Sequence, residues 1–355
     1  MFNEITVLLT GAGAPGAPGI IKCLRKNGER NIRIVGVDMN ENATGRKLVD
    51  AFYKVPAGKD PAFLPCILDI CKKESVQVVM PLVTRELEKF ADAVPLFEEH
   101  GIKVAVTSAE SLKTANNKGA LLKRMQDERM PTPEFYLAKN SSEVDEAIQK
   151  LNYPEKSVVV KPVVGNGSRG TRILNAGISR YEQFFDNKPN PYFISRDELV
   201  SILTEKDEIP EMMVMEFLPG TEYSIDILAN CGNIAYTVCR KGLNVVSSIM
   251  VDSVIETNSY ITQLCEKVVK LLQLDGNIGF DMKENSAGIP CVMEINPRLT
   301  AGVVACAAAG VNLPYLRIKQ LLGETLPQVK AVEGCMMQRR YGEVFFSPDG
   351  NEINW

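Results

Sequence analysis

The 355-residue sequence is poor in the side chains that build several common catalytic and metal sites. It has a single histidine, His100, and its nine cysteines include no CxxC pair. The sequence therefore has too few suitable residues to favour a Ser-His-Asp triad, a histidine metal centre or a zinc ribbon. We expect the cysteines to be reduced, buried apolar side chains rather than a disulfide framework.

The sequence also lacks an excess of positive charge and any long apolar run. A net charge of -4 leaves no broad basic field for DNA or RNA, so nucleic acid is not an expected partner. No apolar stretch approaches the ~18 to 20 residues that a membrane span needs, and the first residues do not resemble a secretory signal. We therefore expect a cytoplasmic protein without a membrane partner.

The composition, 45% apolar and 24% charged, is typical of globular chains, and the length suits two or three domains. In residues 1–110, apolar runs alternate with helical patterns, which predicts a parallel sheet with helices on its faces. The predicted strands are Ile5 to Thr10, Ile32 to Asp38, Val76 to Pro81 and Ile102 to Val106, and the predicted helices are Gly19 to Lys26, Ala62 to Lys73 and Leu87 to His100.

Residues 111–330 differ, because after two short helices the strands become frequent and turns such as Asn230 to Asn233 favour antiparallel hairpins. We expect residues 186–211, rich in Pro, Asn and charge, to be an irregular insertion. Residues 331–355 are expected to form a small strand-rich tail. The predicted class is thus α/β followed by α+β.

A first glycine loop, Gly11 to Gly16, follows the first predicted strand with GxGxxG spacing, and Asp38 ends the second strand about twenty residues later. This combination fits a dinucleotide-binding fingerprint and raises the alternative of an NAD(P)-dependent oxidoreductase. Pro15 and Pro18 weaken that interpretation, because they remove N–H donors that a pyrophosphate would use. A structural turn and a small-molecule pocket at the strand ends are the other two alternatives.

A second glycine loop runs from Gly165 to Gly170 after the apolar strand that ends at Lys161. Its glycines have P-loop spacing, but the following Thr171-Arg172 is not the Lys-Ser/Thr of a Walker A motif. A glycine hairpin with Ser168 and Arg169 at its tip is still suited to fold over phosphates. The alternative is a flexible turn with a solvated arginine.

The segment from Glu216 to Glu222 ends one predicted strand and begins the next. The backbone of Phe217 and Leu218 could bind the edge of an adenine, and Glu222 could bind a ribose. A surface hairpin is the alternative.

The strongest constellation lies on two later strands, which carry Asp281 and the pair Glu294 and Asn296. Side chains alternate along a strand, so these three converge if the two strands pair. Two carboxylates and an amide oxygen form a hard oxygen site suited to Mg²⁺ that is bound together with phosphates. Arg298, just beyond, could meet a phosphate or a developing oxyanion. A structural ion-pair cluster is the alternative.

Five motifs occur in the order found in ATP-grasp enzymes, and together they resemble the carbamoyl-phosphate synthase large subunit over about Thr114 to Gly323. The motifs are Asn116-Asn117-Lys118, Val160-Lys161-Pro162 with the second glycine loop, Glu216 to Asp226, Gly279-Phe280-Asp281, and Glu294 to Arg298. The resemblance implies an N-terminal α/β pre-ATP-grasp domain followed by a two-part ATP-grasp fold, with a glycine-loop lid at about residues 120–190.

The resemblance also implies roles for individual residues. Those contacting ATP phosphates or closing over them would be Lys118, Lys161, Gly167, Ser168, Arg169 and Gly170. Those holding the adenine and ribose would be Glu216, Phe217, Leu218 and Glu222. Those binding magnesium would be Asp281, Glu294 and Asn296, and those supporting the reaction would be Arg298, Arg169, Lys161 and Arg240.

The function so implied is an ATP-dependent ligase that uses Mg²⁺, with Mn²⁺ as a possible substitute. It would phosphorylate a carboxylate to an acyl phosphate and join it to an amine, with small amino acid-type substrates. The substrates would lie between Arg298 and the N-terminal domain, near Gly11, Gly13, Asp38, Thr84 and Glu86.

Three other functions stay open at this point. They are the NAD(P)-dependent oxidoreductase, carbamoyl-phosphate-type synthesis and a nucleotide-binding regulator without turnover. A single ATP-grasp unit argues against carbamoyl phosphate synthesis, and the resemblance makes a homodimer possible.

Overall fold

The computed structural model describes residues 3–165, 167–186, 190–246, 249–340, 342, 344–349 and 352–353. These residues form three main sheets and a two-stranded hairpin. No helix among them has the length and apolarity that a membrane crossing requires.

The N-terminal sheet is parallel, with strand order β3-β2-β1-β4-β5. Its elements are β1 (Ile5–Thr10), α1 (Ala17–Arg25), β2 (Ile32–Asp38), β3 (Ala51–Lys54), α2 (Phe63–Lys73), β4 (Val78–Met80), α3 (Leu87–Glu98) and β5 (Lys103–Val104). All six residues of β1 are buried, as expected for a strand covered on both faces. The predicted parallel α/β architecture is confirmed, and the half-buried edge strand β3 is an addition.

A four-stranded antiparallel sheet follows, with order β6-β9-β7-β8. The elements in this part are α4 (Ala109–Ala115), α5 (Lys118–Asp127), β6 (Phe135–Ala138), α6 (Ser141–Lys150), β7 (Val158–Pro162), β8 (Arg172–Leu174), α7 (Arg180–Phe185), α8 (Arg196–Leu203) and β9 (Met212–Glu216). Helix α6 packs Val144 and Ile148 into the core beneath this sheet. Two side chains cap its start, since Asn140 accepts from the Glu143 N–H and Glu143 accepts from the Lys139 N–H.

The prediction of an irregular insertion at residues 186–211 is wrong for its middle, where Arg196–Leu203 form α8. Ser195 caps that helix by accepting from the Glu198 N–H, and Leu199 is buried in the same core.

The largest sheet has the order β14-β13-β10-β11-β12-β15. The remaining elements are β10 (Glu222–Asn230), β11 (Asn233–Val246), β12 (Ile249–Ile255), α9 (Ser259–Leu271), β13 (Gly276–Glu284), β14 (Pro290–Asn296), α10 (Val303–Ala308), α11 (Leu313–Leu321), β15 (Met336–Gln338), β16 (Phe345–Phe346) and β17 (Glu352–Ile353). The predicted hairpin between β10 and β11 is confirmed, with Cys231 and Gly232 both at positive φ in a two-residue turn. One face of the sheet packs on α9. The other face carries the polar side chains around Asp281 and, further along the strands, Leu228, Tyr236, Val238 and Ile255, which lie in a second core.

The N-terminal sheet and the largest sheet share a core that includes residues of α1, α10 and α11. Two ion pairs with buried cations link the N-terminal part to the region of α11: Arg30 pairs with Glu324, and Lys319 pairs with Glu29. This docking brings the carboxyl ends of the N-terminal strands next to the polar face of the largest sheet. All nine cysteines are free, and six are buried as expected, whereas Cys231 is exposed in the β10–β11 turn.

Candidate active site

Strands β13 and β14 bring three predicted metal ligands together. Asp281 lies directly opposite Glu294, and Gly279 lies opposite Asn296. Alternation along β14 places Glu294 and Asn296 on the polar face and their neighbour Ile295 in the core. The Asn296 Nδ2 is 3.0 Å from the Asp281 Oδ2 and 3.4 Å from the Glu294 Oε1.

The two carboxylates oppose each other's ionisation, and the surrounding cations divide the charge unevenly. Burial and the neighbouring Glu294 raise the pKa of Asp281 to about 7, although Arg240 acts in the opposite direction. Burial also works against ionisation of Glu294, but Lys118 and Lys161 hold its pKa below the ordinary value. One acid is therefore firmly ionised, and the other is ready to ionise when a cation arrives.

Two buried lysines approach Glu294 from the four-stranded sheet and from α5. The Lys118 Nζ is 3.1 Å from the Glu294 Oε2 and donates to the Gly165 carbonyl at 2.7 Å. Burial lowers the pKa of Lys161 to about 8, with Lys118 adding repulsion and Glu294 opposing both. The end of β7 and the start of α5 thus place two ammonium groups over the acidic strand ends.

The second glycine loop is held close to these lysines. Residues Gly167, Ser168 and Gly170 have positive φ, and the Thr171 N–H donates to the Ser168 carbonyl. Because a Cβ on Gly170 would lie 2.7 Å from Pro162, the tight return of the loop requires glycine there. Arg169 is exposed, and Asn166 lies outside the described residues.

Arg298 joins the acidic strand ends to the N-terminal sheet. It donates from Nη2 to Asn296, from Nη1 to the Leu299 carbonyl, and from Nε to the Thr84 hydroxyl at 2.9 Å. Burial lowers its pKa, although the guanidinium faces two carboxylates that act in the opposite direction. The predicted proximity of Arg298 and Thr84 is thus present in the structure.

Arg240 occupies a different position from the other predicted catalytic residues. It is 2% exposed and donates to Asp226, Ser224 and Thr300 within a closed network. A group so enclosed cannot meet a substrate without rearrangement of its network. Its field acts on Asp281, so the geometry supports an electrostatic role rather than the direct one that the resemblance implied.

The residues predicted for adenine and ribose line the same polar face in part. Glu222 forms an ion pair with Lys283, whose ammonium also lies 5.4 Å from the centre of the Phe217 ring. The Leu218 side chain is in the core, which leaves only its backbone for a ligand. The Glu216 carboxylate accepts from the Glu134 N–H at 2.9 Å and so ties two strands together. Sequence reasoning assigned no role to Lys283, although strand alternation already placed it with Asp281.

The first glycine loop is built for packing. The Gly13 N–H donates to the Asp38 Oδ2 at 2.8 Å, so the acid that would hold a ribose holds the loop instead. A Cβ on Gly16 would lie 2.8 Å from the Ala301 Cα, because the start of α1 docks against the residues before α10. The dinucleotide interpretation is therefore disfavoured by the geometry, since a pyrophosphate would have to enter occupied space.

Glu86 lies beneath the first glycine loop and is 8% exposed. Burial raises its pKa to about 7, although a hydrogen bond from Thr10 acts in the opposite direction. Its Oε2 has no hydrogen-bond partner among the described residues. The group is therefore protonated over part of the neutral pH range.

The acidic strand ends suit magnesium better than a transition metal. Nowhere in the described part of the chain do three or more His, Cys, Asp or Glu side chains form a group that could hold a metal ion. The available donors are two carboxylates that repel each other and one amide, a hard oxygen set that needs phosphate oxygens to complete it. Ligation by Asn296 requires its Oδ1 to face the carboxylates, where its Nδ2 now lies.

Two family models match the chain. Residues 7–105 match the PylC-like N-terminal domain, and residues 208–341 match ATP-grasp in the biosynthetic pathway with Ter operon. The arginine-specific carbamoyl phosphate synthase large chain of Neurospora crassa is 22% identical over 349 residues, which are 92% of this chain and 28% of that protein. The chain spans 20–29% of the length of the carbamoyl phosphate synthase large chains that it matches.

Solved structures extend the likeness across both sheets of the site. An N5-carboxyaminoimidazole ribonucleotide synthetase in an ADP complex matches with a TM-score of 0.66 and 15% identity, covering 92% of this chain and 79% of that one. An L-amino acid ligase from Bacillus licheniformis matches with a TM-score of 0.63 and 16% identity, covering 91% and 75%. These likenesses establish the fold. The ATP-grasp model and the PylC-like N-terminal model match successive parts of the chain, which confirms the resemblance inferred from the five motifs.

Proposed function

We propose that this protein is an ATP- and magnesium-dependent ligase that activates a carboxylate as an acyl phosphate and joins it to an amine. The observation that carries this proposal is the convergence of Asp281, Glu294 and Asn296 with Lys118 and Lys161. A set of oxygen ligands beside two ammonium groups, at the edge of a glycine loop, matches the needs of a triphosphate. The ATP-grasp family match supports the same conclusion.

The nucleotide phosphates would lie between the glycine loop and the acidic strand ends. Lys118 and Lys161 would neutralise phosphate charge, and the N–H groups of the second glycine loop would donate to phosphate oxygens. Asp281, Glu294 and Asn296 would hold magnesium, which supplies charge neutralisation and a template for the transferred phosphoryl group. Burial of the lysines strengthens each of these interactions.

The carboxylate substrate would lie next to Arg298. A carboxylate is a poor electrophile, and phosphorylation gives it a good leaving group for attack by an amine. Arg298 would orient the acid and stabilise the charge that develops on it, from a position already fixed by Thr84. The reaction needs no protein nucleophile, which agrees with the single histidine of the chain.

The amine would enter from the N-terminal sheet, whose strand ends face the same space. Thr84 touches Arg298 directly, and Glu86 is two residues further along the same turn. The contribution of both sheets to one site supports a reaction of two substrates in addition to ATP.

The decisive experiment is an ADP-release screen with MgATP and small acids and amines, singly and in pairs, with bicarbonate and ammonia included. An acid that supports ADP release on its own identifies the phosphorylated substrate, and bicarbonate in that role would indicate carbamoyl-phosphate-type chemistry. Nucleotide binding without ADP formation across the screen would instead support a regulator.

The matched variants for this screen are Glu294→Gln and Glu256→Gln. Loss of the Glu294 charge should lower kcat at least about 100-fold, because a main ligand charge of the phosphoryl-transfer site disappears. Glu256 directly follows β12 and is paired with Lys241 on β11, and its variant should keep wild-type turnover. Full acid-dependent ADP release by Glu294→Gln would refute the magnesium assignment.

A further inference from the structure

The ion pair between Lys283 and Glu222 lies on the polar face of the largest sheet. The resemblance assigns Glu222 to a ribose, whereas Lys283 has no assigned role. Lys283 on β13 is the direct cross-strand partner of Glu222 on β10, and the Nζ–Oε1 distance is 2.8 Å. The two side chains are 19% and 30% exposed, so the pair is neither sealed in the core nor free in solvent. The ion pair is therefore accessible to a ligand that binds on this face of the sheet.

The position of this pair follows from strand geometry. Lys283 is two residues from Asp281 on the same face, which is about 7 Å along a strand. On β10, Glu222 is likewise two residues from Ser224, the cross-strand partner of Asp281. In a nucleoside triphosphate the ribose is the next group after the phosphates. A nucleotide whose phosphates lie at Asp281 and Glu294 therefore reaches the ion pair with its ribose.

Lys283 is held from two sides. Its ammonium donates to Glu222 and lies 5.4 Å from the centre of the Phe217 ring, a cation–π distance. The backbone of Phe217 is held in turn, since its N–H donates to the Ser157 carbonyl. The lysine thus has little freedom to move, and it limits the freedom of the carboxylate that it holds.

The ion pair leaves one carboxylate oxygen for a ligand. Lys283 binds the Oε1 of Glu222, and the described residues provide no other hydrogen-bond partner for that carboxylate. Its Oε2 can therefore accept from a hydroxyl group. The positive charge of Lys283 also offsets the repulsion between Glu222 and the phosphates of the nucleotide.

We propose that Lys283 is a positioning residue for the nucleotide, which fixes Glu222 so that its second oxygen accepts a hydrogen bond from a ribose hydroxyl. This inference rests on the proposed ATP site and adds a selection between ribonucleotides and deoxyribonucleotides. Truncation of Lys283 should therefore weaken the discrimination by sugar more than it weakens binding of the phosphates.

The test is calorimetric binding of MgADP, Mg-2′-deoxyADP and Mg-3′-deoxyADP to the full chain. Wild type should prefer MgADP to at least one deoxy analogue by about tenfold, the value of one charge-assisted hydrogen bond. Lys283→Met should reduce that ratio to within about twofold, and Lys283→Arg should restore most of it. Glu222→Gln should also abolish the preference, and Lys283→Met in that background should change the ratio no further.

The matched control is Lys241→Met, which removes the lysine of another partly exposed Lys–Glu pair, between Lys241 and Glu256. It should keep the wild-type ratio. A wild-type protein that binds MgADP without preference by sugar, or a Lys283→Met protein with the wild-type ratio, would overturn the inference. Failure of the wild type to bind any of the three nucleotides at millimolar concentration would overturn the proposed function itself. If Lys283→Met does not fold, the Lys283→Arg and Glu222→Gln ratios decide the matter.

Discussion

The two glycine loops of this chain have the same GxGxxG spacing and different surroundings. In the first, Gly11 to Gly16, the Gly13 N–H donates to Asp38, and the residues before α10 pack against Gly16. The second, Gly165 to Gly170, is largely exposed and lies beside two buried lysines and the carboxylate of Glu294. One loop joins two parts of the protein, and the other has the surroundings of a phosphate site.

The comparison teaches that glycine spacing alone does not specify a nucleotide site. Glycine permits close approach, and the neighbouring chain decides what approaches. At Gly16 the neighbour is the backbone of Ala301, whereas at Gly165 the nearest atom to an added Cβ is 3.9 Å away. A site for phosphate needs N–H groups with cations nearby, and of the two loops the second lies beside two buried lysines.

Substitution of one glycine in each loop should produce the largest contrast. Gly16→Val forces a side chain against the Ala301 backbone, so the free energy of unfolding should fall by about 3 kcal/mol, at the upper end for overpacking. The Cβ of Gly165→Ala would make only ordinary van der Waals contacts, so this variant should change the free energy of unfolding by less than about 0.5 kcal/mol. Urea unfolding of both variants measures the difference. Equal destabilisation would show that the two loops are packed alike.

The part of the candidate site that depends on strand alternation could be predicted from the sequence. Alternation along two strands, together with their order, was enough to bring Asp281, Glu294 and Asn296 to one point. The parallel N-terminal sheet was predictable for the same reason, because its strands are short, apolar and separated by helical periods.

What sequence reasoning missed depends on register or on docking. The pairing of Lys283 with Glu222 requires the cross-strand register of β10 and β13, which no local pattern shows. The packing of Gly16 on Ala301 requires the two sheets to be docked first. Helix α6 could have been predicted from sequence but was not, since its N-cap Asn140 followed by Glu143 is visible there.

Glu86 is hydrogen-bonded by Thr10, the residue directly before the first loop, and its raised pKa can be tested by measuring stability against pH. Burial raises the pKa of Glu86 from 4.5 to about 7, so between these values the folded chain keeps a proton that the unfolded chain has lost. Stability should therefore fall as the pH rises through this window, by about 3 kcal/mol at most. Glu86→Gln has no proton to lose at this position, so its free energy of unfolding should match that of wild type near pH 5 and exceed it at pH 8.

Glu74→Gln provides a control of opposite sign for that series. Hydrogen bonds from Tyr53 and Arg33 lower the pKa of Glu74, so its charge stabilises the fold at neutral pH. The variant should be less stable than wild type at pH 8, and the deficit should shrink as the pH falls below the ordinary value for a glutamate. Parallel pH profiles for wild type and Glu86→Gln in urea unfolding would show that Glu86 has no raised pKa.

The smallest expected effect is that of Asp38→Asn, which tests whether the first loop is a structural turn or a dinucleotide site. Asp38 accepts from the Gly13 N–H with Oδ2 and from the Asn40 N–H with Oδ1. Asn at position 38 has only one acceptor oxygen, so Asp38→Asn loses one of these bonds and should lower the free energy of unfolding by about 1 kcal/mol. NADH should leave the thermal midpoint of both proteins unchanged, because that carboxylate already serves the loop. Stabilisation of wild type by NADH that disappears in Asp38→Asn would make the first loop a cofactor site, and the contrast between the two loops would then fail.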